Sequence, residues 1–215
     1  MHSSSIALWY ASRATGVVCL VLTTTVVLLG VLVSKQRRLP GLPRFGVVHL
    51  HRYLSLLAVG FVTVHILTAI VDSYVSISLA AAIIPFVSAY KPLWLGLGAV
   101  SIDLMAALIV TSLVRARIGR NGWRVVHWVA YAAWPIAVLH SIGTGPDLRR
   151  GPLLWLTLGS VLAVLAAIGW RAFGAKPRAQ LVPELVAAHA PAASRQPVSH
   201  QRRTKTYQGI EAARR

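Results

Sequence analysis

The chain has 215 residues, 56% of them hydrophobic, with 5 acidic side chains against 22 Lys and Arg and a positive mean hydropathy. A soluble globular domain of this size rarely shows that balance, so the composition points to an integral membrane protein. The formal charge of +17 raises nucleic acid as a partner, but the basic residues sit in short clusters between apolar runs and in the tail, where membrane topology accounts for them, and no nucleic-acid partner is expected.

A membrane-spanning helix needs about 20 residues at 1.5 Å each, and five stretches qualify, near 12–33, 47–71, 93–114, 124–143 and 152–172. The expected fold class is all-α, a polytopic bundle of five transmembrane helices. Residues 1–11 read as an external N-terminal segment. The first span lacks a basic n-region and a small-residue cleavage site and runs into KQRR, which makes it a retained anchor rather than a signal peptide. Its Cys19, the single cysteine, lies in an apolar run, which excludes a disulfide framework, a thiolate metal cluster and a CxxCH site for covalent haem.

The first loop and its margins carry Lys35, Arg37, Arg38, Arg44 and Arg52, and the third connection carries Arg115, Arg117, Arg120 and Arg124. The tail adds nine more cations from Arg171 onward, against Arg13, Lys91, Arg149 and Arg150 on the other side. The positive-inside rule then places the N-terminus outside and the C-terminus in the cytoplasm, in the plasma membrane, with spans two and four parallel. Residues 72–92, interrupted by Pro85, read as a surface or re-entrant cap. Residues 173–215 are basic and aperiodic, a disordered cytoplasmic tail that touches anionic lipid.

Four histidines fall on spans two and four: His51 and His65, 14 apart, and His127 and His140, 13 apart. Each pair spans about 20 Å along its helix, one imidazole near the inner end and one near the outer. At about 100° per residue a 14-residue step returns to within about 40° of the same face, whereas a 13-residue step lands about 140° away. The second pair therefore needs an irregular helix or approach from different sides, and Pro135 is the expected kink. His49, at an offset of about 160° from His65, is a poorer inner candidate than His51.

Imidazoles paired between two helices at two depths suit two non-covalent, six-coordinate b-type haems. Arg52 and Arg124 on the inner margin and Arg13 on the outer one are candidates for the propionates, with Tyr53, Trp128, Tyr131 and Trp134 flanking the sites. A single membrane histidine is often a helix–helix hydrogen-bonding residue, but four at matched depth are costly and point to function. A metal-ion transporter would add carboxylates or thiolates along a path, and only Asp103 lies within a span. Asp103 has three readings: a pair with Arg13, bonds to hydroxyls, or a proton relay. Asp72 and Asp147 at the outer margins are expected to be solvated. The glycines of GTGP and GLG lack the strand–helix setting of a nucleotide loop.

The patterns HRxxxxxxxxxxxxH, from His51 to His65, and RxxHWxxYxxWPxxxxH, from Arg124 to His140, resemble the ferric reductase-like transmembrane domain. That domain is the haem-bearing core of ferric reductases, NADPH oxidases and the haem subunit of periplasmic methionine sulfoxide reductase. WYASRATGVVCLVL, PFVSAYKPLWLGLG and HRYLSLL look like small stand-alone actinobacterial members, and the resemblance covers about residues 6–172, with 12–172 as the haem-binding domain. It implies axial pairing of His51 with His127 and of His65 with His140. Oxidase and reductase members continue into flavin and nicotinamide lobes; the roughly 40 residues after the last span are too few for either, so the chain is expected to lack them, along with the first span of the six-span oxidases.

The expected function is a di-haem electron conduit without catalytic residues of its own, an oxidoreductase-type subunit. Its donor is a separate flavoprotein, which would supply any FAD or FMN, or a quinol, and its external acceptor is ferric iron, oxygen or a partner redox protein. The alternatives are a non-catalytic haem-binding subunit or sensor, and a metal-ion transporter.

Overall fold

Proline and glycine punctuate the chain where its helices begin and end, and the apolar runs between them are helical. The computed structural model describes residues 2–37, 39–72, 75 and 77–173. The helices in chain order are α1 (His2–Ser34), α2 (Arg44–Val71), α3 (Leu79–Ile83), α4 (Pro92–Leu113), α5 (Arg115–His127), α6 (Ala130–Thr144) and α7 (Gly151–Phe173), with a 3₁₀ turn at Pro146–Arg149 before α7. Five stretches are long and apolar enough to cross a membrane: Ile6–Ser34, Arg44–Val71, Pro92–Leu113, Asn121–Thr144 and Gly151–Phe173. The all-helical, five-span fold is thus as expected, with the first helix starting at His2, inside the stretch taken as an external segment. The tail from residue 174 lies outside the described residues.

Pro40, Gly41 and Pro43 fill the turn before α2, with Gly41 at φ +72°. Pro92 occupies the first turn of α4, where its missing N–H costs nothing. Lys91, just before it, turns its ammonium to the carbonyl oxygens of Gly143 (3.2 Å) and Thr144 (3.3 Å), which cover part of the orphan acceptor row at the end of α6. The connection 72–92 contains the single helical turn α3, capped by Ser78, whose Oγ accepts from the Ala81 amide at 3.2 Å. Asp72, expected to be solvated, is 8% exposed instead; it is the C-cap of α2, and its amide donates to the Thr68 carbonyl.

The buried core is formed by Leu20 of α1, Trp134 and Val138 of α6, Leu148 of the 3₁₀ turn and Val164 of α7, with Val17, Val27, Leu28, Ile142 and Val161 packed around it. Trp134, placed beside the haem sites by its spacing, points into this core, where its indole N–H donates to Thr24 Oγ1 at 3.1 Å. Two antiparallel helix pairs dominate the remaining packing, α1 with α2 and α4 with α6. The two parallel, histidine-bearing helices α2 and α6 are not packed closely on each other. That leaves a slot between them, lined by side chains rather than closed by helix contact.

The break in the fourth span does not lie at Pro135, which sits inside α6. It lies at Trp128–Val129, between α5 and α6, where φ/ψ values of −64°/−25° and −59°/−24° are those of a 3₁₀ helix. Trp128, Val129, Tyr131 and Ala132 donate to carbonyls three residues back, at 3.2, 2.9, 3.0 and 2.9 Å.

Candidate functional site

The over-wound turn eases the 13-residue problem. A 3₁₀ helix turns about 120° per residue rather than 100° and rises about 2.0 Å rather than 1.5 Å. At Trp128 and Val129 that adds about 40°, which reduces the offset between His127 and His140 from about 140° to about 100°. The same two residues add about 1 Å of rise, so 13 residues on this span cover nearly what 14 cover on α2.

His65 and His140 meet across the slot with ring centroids 6.5 Å apart and planes at 82°. Two imidazoles on opposite sides of one metal ion, with metal–nitrogen bonds of about 2 Å and about 1.1 Å from nitrogen to ring centre, stand about 6 Å apart. The observed centroid separation is close to that distance. Ring planes at a right angle are compatible with this, because each imidazole is free to rotate about its metal–nitrogen bond.

Three of the four rings are moored in the same manner. His65 Nδ1 lies 2.8 Å from the Ser12 carbonyl oxygen, His51 Nδ1 3.1 Å from that of Val26, and His140 Nδ1 2.8 Å from that of Trp94. A carbonyl can only accept, so each Nδ1 is the protonated nitrogen and each Nε2 carries the lone pair that binds a metal. Second-shell bonds of this kind fix the tautomer and raise the basicity of the ligand. None of these Nε2 atoms is hydrogen-bonded among the described residues.

Each mooring carbonyl already serves its own helix, so the imidazole needs access to the second lone pair, and the residue four positions on supplies it. That residue is Gly16 after Ser12, Gly30 after Val26 and Gly98 after Trp94. A Cβ at Gly98 would stand 2.6 Å from His140 Nδ1, one at Gly16 3.1 Å from His65 Cε1, and one at Gly30 3.4 Å from His51 Cε1. Gly16 and Gly30 are 14 apart, as are His51 and His65. Gly143 similarly leaves room for the Trp94 indole.

His127 is different. Its Nδ1 is buried without a hydrogen-bond partner among the described residues, while its ring stacks on Trp123 at 4.7 Å and 26°. His49, the poorer inner candidate, is exposed beside Tyr53 at 6.3 Å.

Among the candidate cations, Arg13 pairs with Asp147 at 3.0 Å and lies 4.5 Å over the Trp9 ring, which answers the question of its partner in favour of Asp147 rather than Asp103. Arg52 and Arg124 are exposed and make no ion pair among the described residues. Asp103 is exposed on α4. Sequence reasoning passed over Arg171, whose guanidinium stands 4.6 Å from the Trp128 ring and donates to the Tyr131 hydroxyl at 2.9 Å. These three line a cavity of about 400 Å³ with Ile168 and Ala172. No group of three or more His, Cys, Asp and Glu side chains converges among the described residues. A bare ion that wants four protein ligands is poorly served, whereas a macrocycle that brings four nitrogens of its own needs only two imidazoles.

The signature of the family described as ferric reductase like transmembrane component matches residues 15–138. His51, His65 and His127 fall within the match, and His140 stands two residues beyond it. Neither the curated proteins nor the solved structures offer a match.

Proposed function

The chain belongs to the ferric reductase like transmembrane component family, and from that premise we propose that it is a di-haem b-type cytochrome that carries electrons across the membrane. His65 and His140 hold one haem and His51 and His127 the other. The observation that carries this reading is the 6.5 Å separation of the His65 and His140 rings, brought near each other from two helices that do not pack closely together. Each haem when bound supplies an iron couple that takes up and releases one electron.

The chain's own residues do the rest. The Ser12, Val26 and Trp94 carbonyls hold three imidazoles in the tautomer that presents Nε2. Leu, Val and Ala side chains of the spans keep water from the slot. Arg52, Arg124 and Arg171 at one end supply the positive charge that propionates need, while Arg13 at the other end is already paired with Asp147. With the arginine-rich end in the cytoplasm, the N-terminus is outside and the tail inside. Electrons then enter near His51 and His127 from a separate flavoprotein or a quinol and leave near His65 and His140. The acceptor on the outer side is ferric iron, oxygen or a redox partner protein.

The histidine variants test this reading. His65→Ala and His140→Ala each remove one haem and leave the second with an unchanged low-spin spectrum, as read by pyridine haemochrome assay and absorption spectroscopy. Loss of neither haem, or of both in a chain that still inserts and folds, contradicts the assignment.

A further inference from the structure

The mooring of the histidines follows a register. On α1 a carbonyl and the glycine four residues on recur after 14 residues, as Ser12 with Gly16 and Val26 with Gly30. On α4 the first such pair is Trp94 with Gly98, and a 14-residue step leads to Leu108 and residue 112. That is where His127 would be moored, and the cradle is missing. Residue 112 is Ser112, so a side chain occupies the position that is glycine in the other three cradles. An indole is present instead: Trp123 Nε1 donates to Ser112 Oγ at 3.3 Å, and the ring stacks on His127 at 4.7 Å. The Arg115 guanidinium lies 5.4 Å from the same indole.

We propose that Trp123, moored to Ser112, is the positioning residue of His127, and that its haem is consequently the higher-potential and more ligand-exchangeable of the two. The inference rests on the di-haem reading above. An imidazole held by ring stacking is oriented but receives no help from a carbonyl at Nδ1, so it is a poorer donor to oxidised iron than its three counterparts. A poorer donor stabilises oxidised iron less, which raises the potential. It also yields its place more readily to an added ligand. The two haem sites are thus unlike by construction, three histidines being tied to backbone and one to a side chain.

The test uses the purified full chain with its haems, followed by equilibrium reduction potentials and by absorption and EPR spectra. In Trp123→Ala, one haem of the two acquires a high-spin signature that added imidazole converts back to low-spin. The other haem keeps its spectrum and potential. Trp123→Phe, which retains the stack, stays low-spin without imidazole. The haem affected is the one with the higher potential in the unmodified protein. Ser112→Ala removes only the mooring and moves the same potential upward while leaving the other in place, so the inference stays testable should Trp123→Ala fail to fold. Two haems with spectra and potentials untouched by both variants overturn the inference and leave the di-haem reading standing. Equal changes at both haems, or a change confined to the lower-potential one, overturn it likewise. An unmodified chain that binds no haem overturns both.

Discussion

A single methyl group decides whether an imidazole reaches its carbonyl. The cradle distances order three substitutions: Gly98→Ala brings a Cβ to 2.6 Å from His140, Gly16→Ala to 3.1 Å from His65, and Gly30→Ala to 3.4 Å from His51. Measured as haem per chain, Gly98→Ala is expected to lose one haem outright, Gly16→Ala to lower its occupancy, and Gly30→Ala to be close to neutral. The Arg13–Asp147 pair should matter less. Its side chains are 26% and 54% exposed, so Asp147→Asn is expected to cost less than about 1 kcal/mol of stability, read as a small shift in thermal unfolding. At this scale the sequence displayed its histidines openly, because ionisable groups inside apolar runs are rare. The glycines were passed over because a glycine in a helix reads as a weak spot or a packing contact. The 14-residue spacing of Gly16 and Gly30, which echoes that of His51 and His65, was the available signal. The partner of Arg13 was not legible, since Asp147 reaches it from the 3₁₀ turn before α7, far away in sequence.

The elements themselves were easier to foresee than their irregularities. Long apolar runs bounded by Pro40, Pro43, Pro92, Gly145 and Pro152 leave few alternatives to helix. The over-wound turn at Trp128–Val129 carries no such mark, and Pro135 drew attention to the wrong place. Two changes separate these sites. Pro135→Ala restores a missing N–H within α6 but lies outside the over-wound turn, so it is expected to retain both haems at the unmodified ratio. Insertion of one alanine after Val129 rotates His127 against His140 by about 100°. Only one of the two can then face the slot, and one haem should be lost. Retention of both haems after the insertion would show that the turn does not set the register.

On the scale of the molecule, two antiparallel helix pairs, α1 with α2 and α4 with α6, bring the rings of His65 and His140 within 6.5 Å of each other, and α7 completes the core against α1 and α6. Composition was enough to announce a five-span bundle, but not that α2 and α6 would stand apart, because spacing between helices is a property of the assembled fold. On the proposed topology, with the arginine-rich end in the cytoplasm, the proposed conduit runs from the inner face to the outer one. An electron that leaves the cytoplasmic side moves away from the negative side of an energised membrane, a drop of about 2.3 kcal/mol for each 100 mV. In proteoliposomes with the arginine-rich end inside, an imposed inside-negative potential should therefore speed reoxidation of the haems by an external acceptor, and an inside-positive one should slow it. All of this depends on the paired histidines holding haem. The most direct test is the haem content of the unmodified chain, purified from haem-replete cells: the account predicts two b-type haems per chain, both low-spin, whereas a folded chain that carries one haem or none would contradict it.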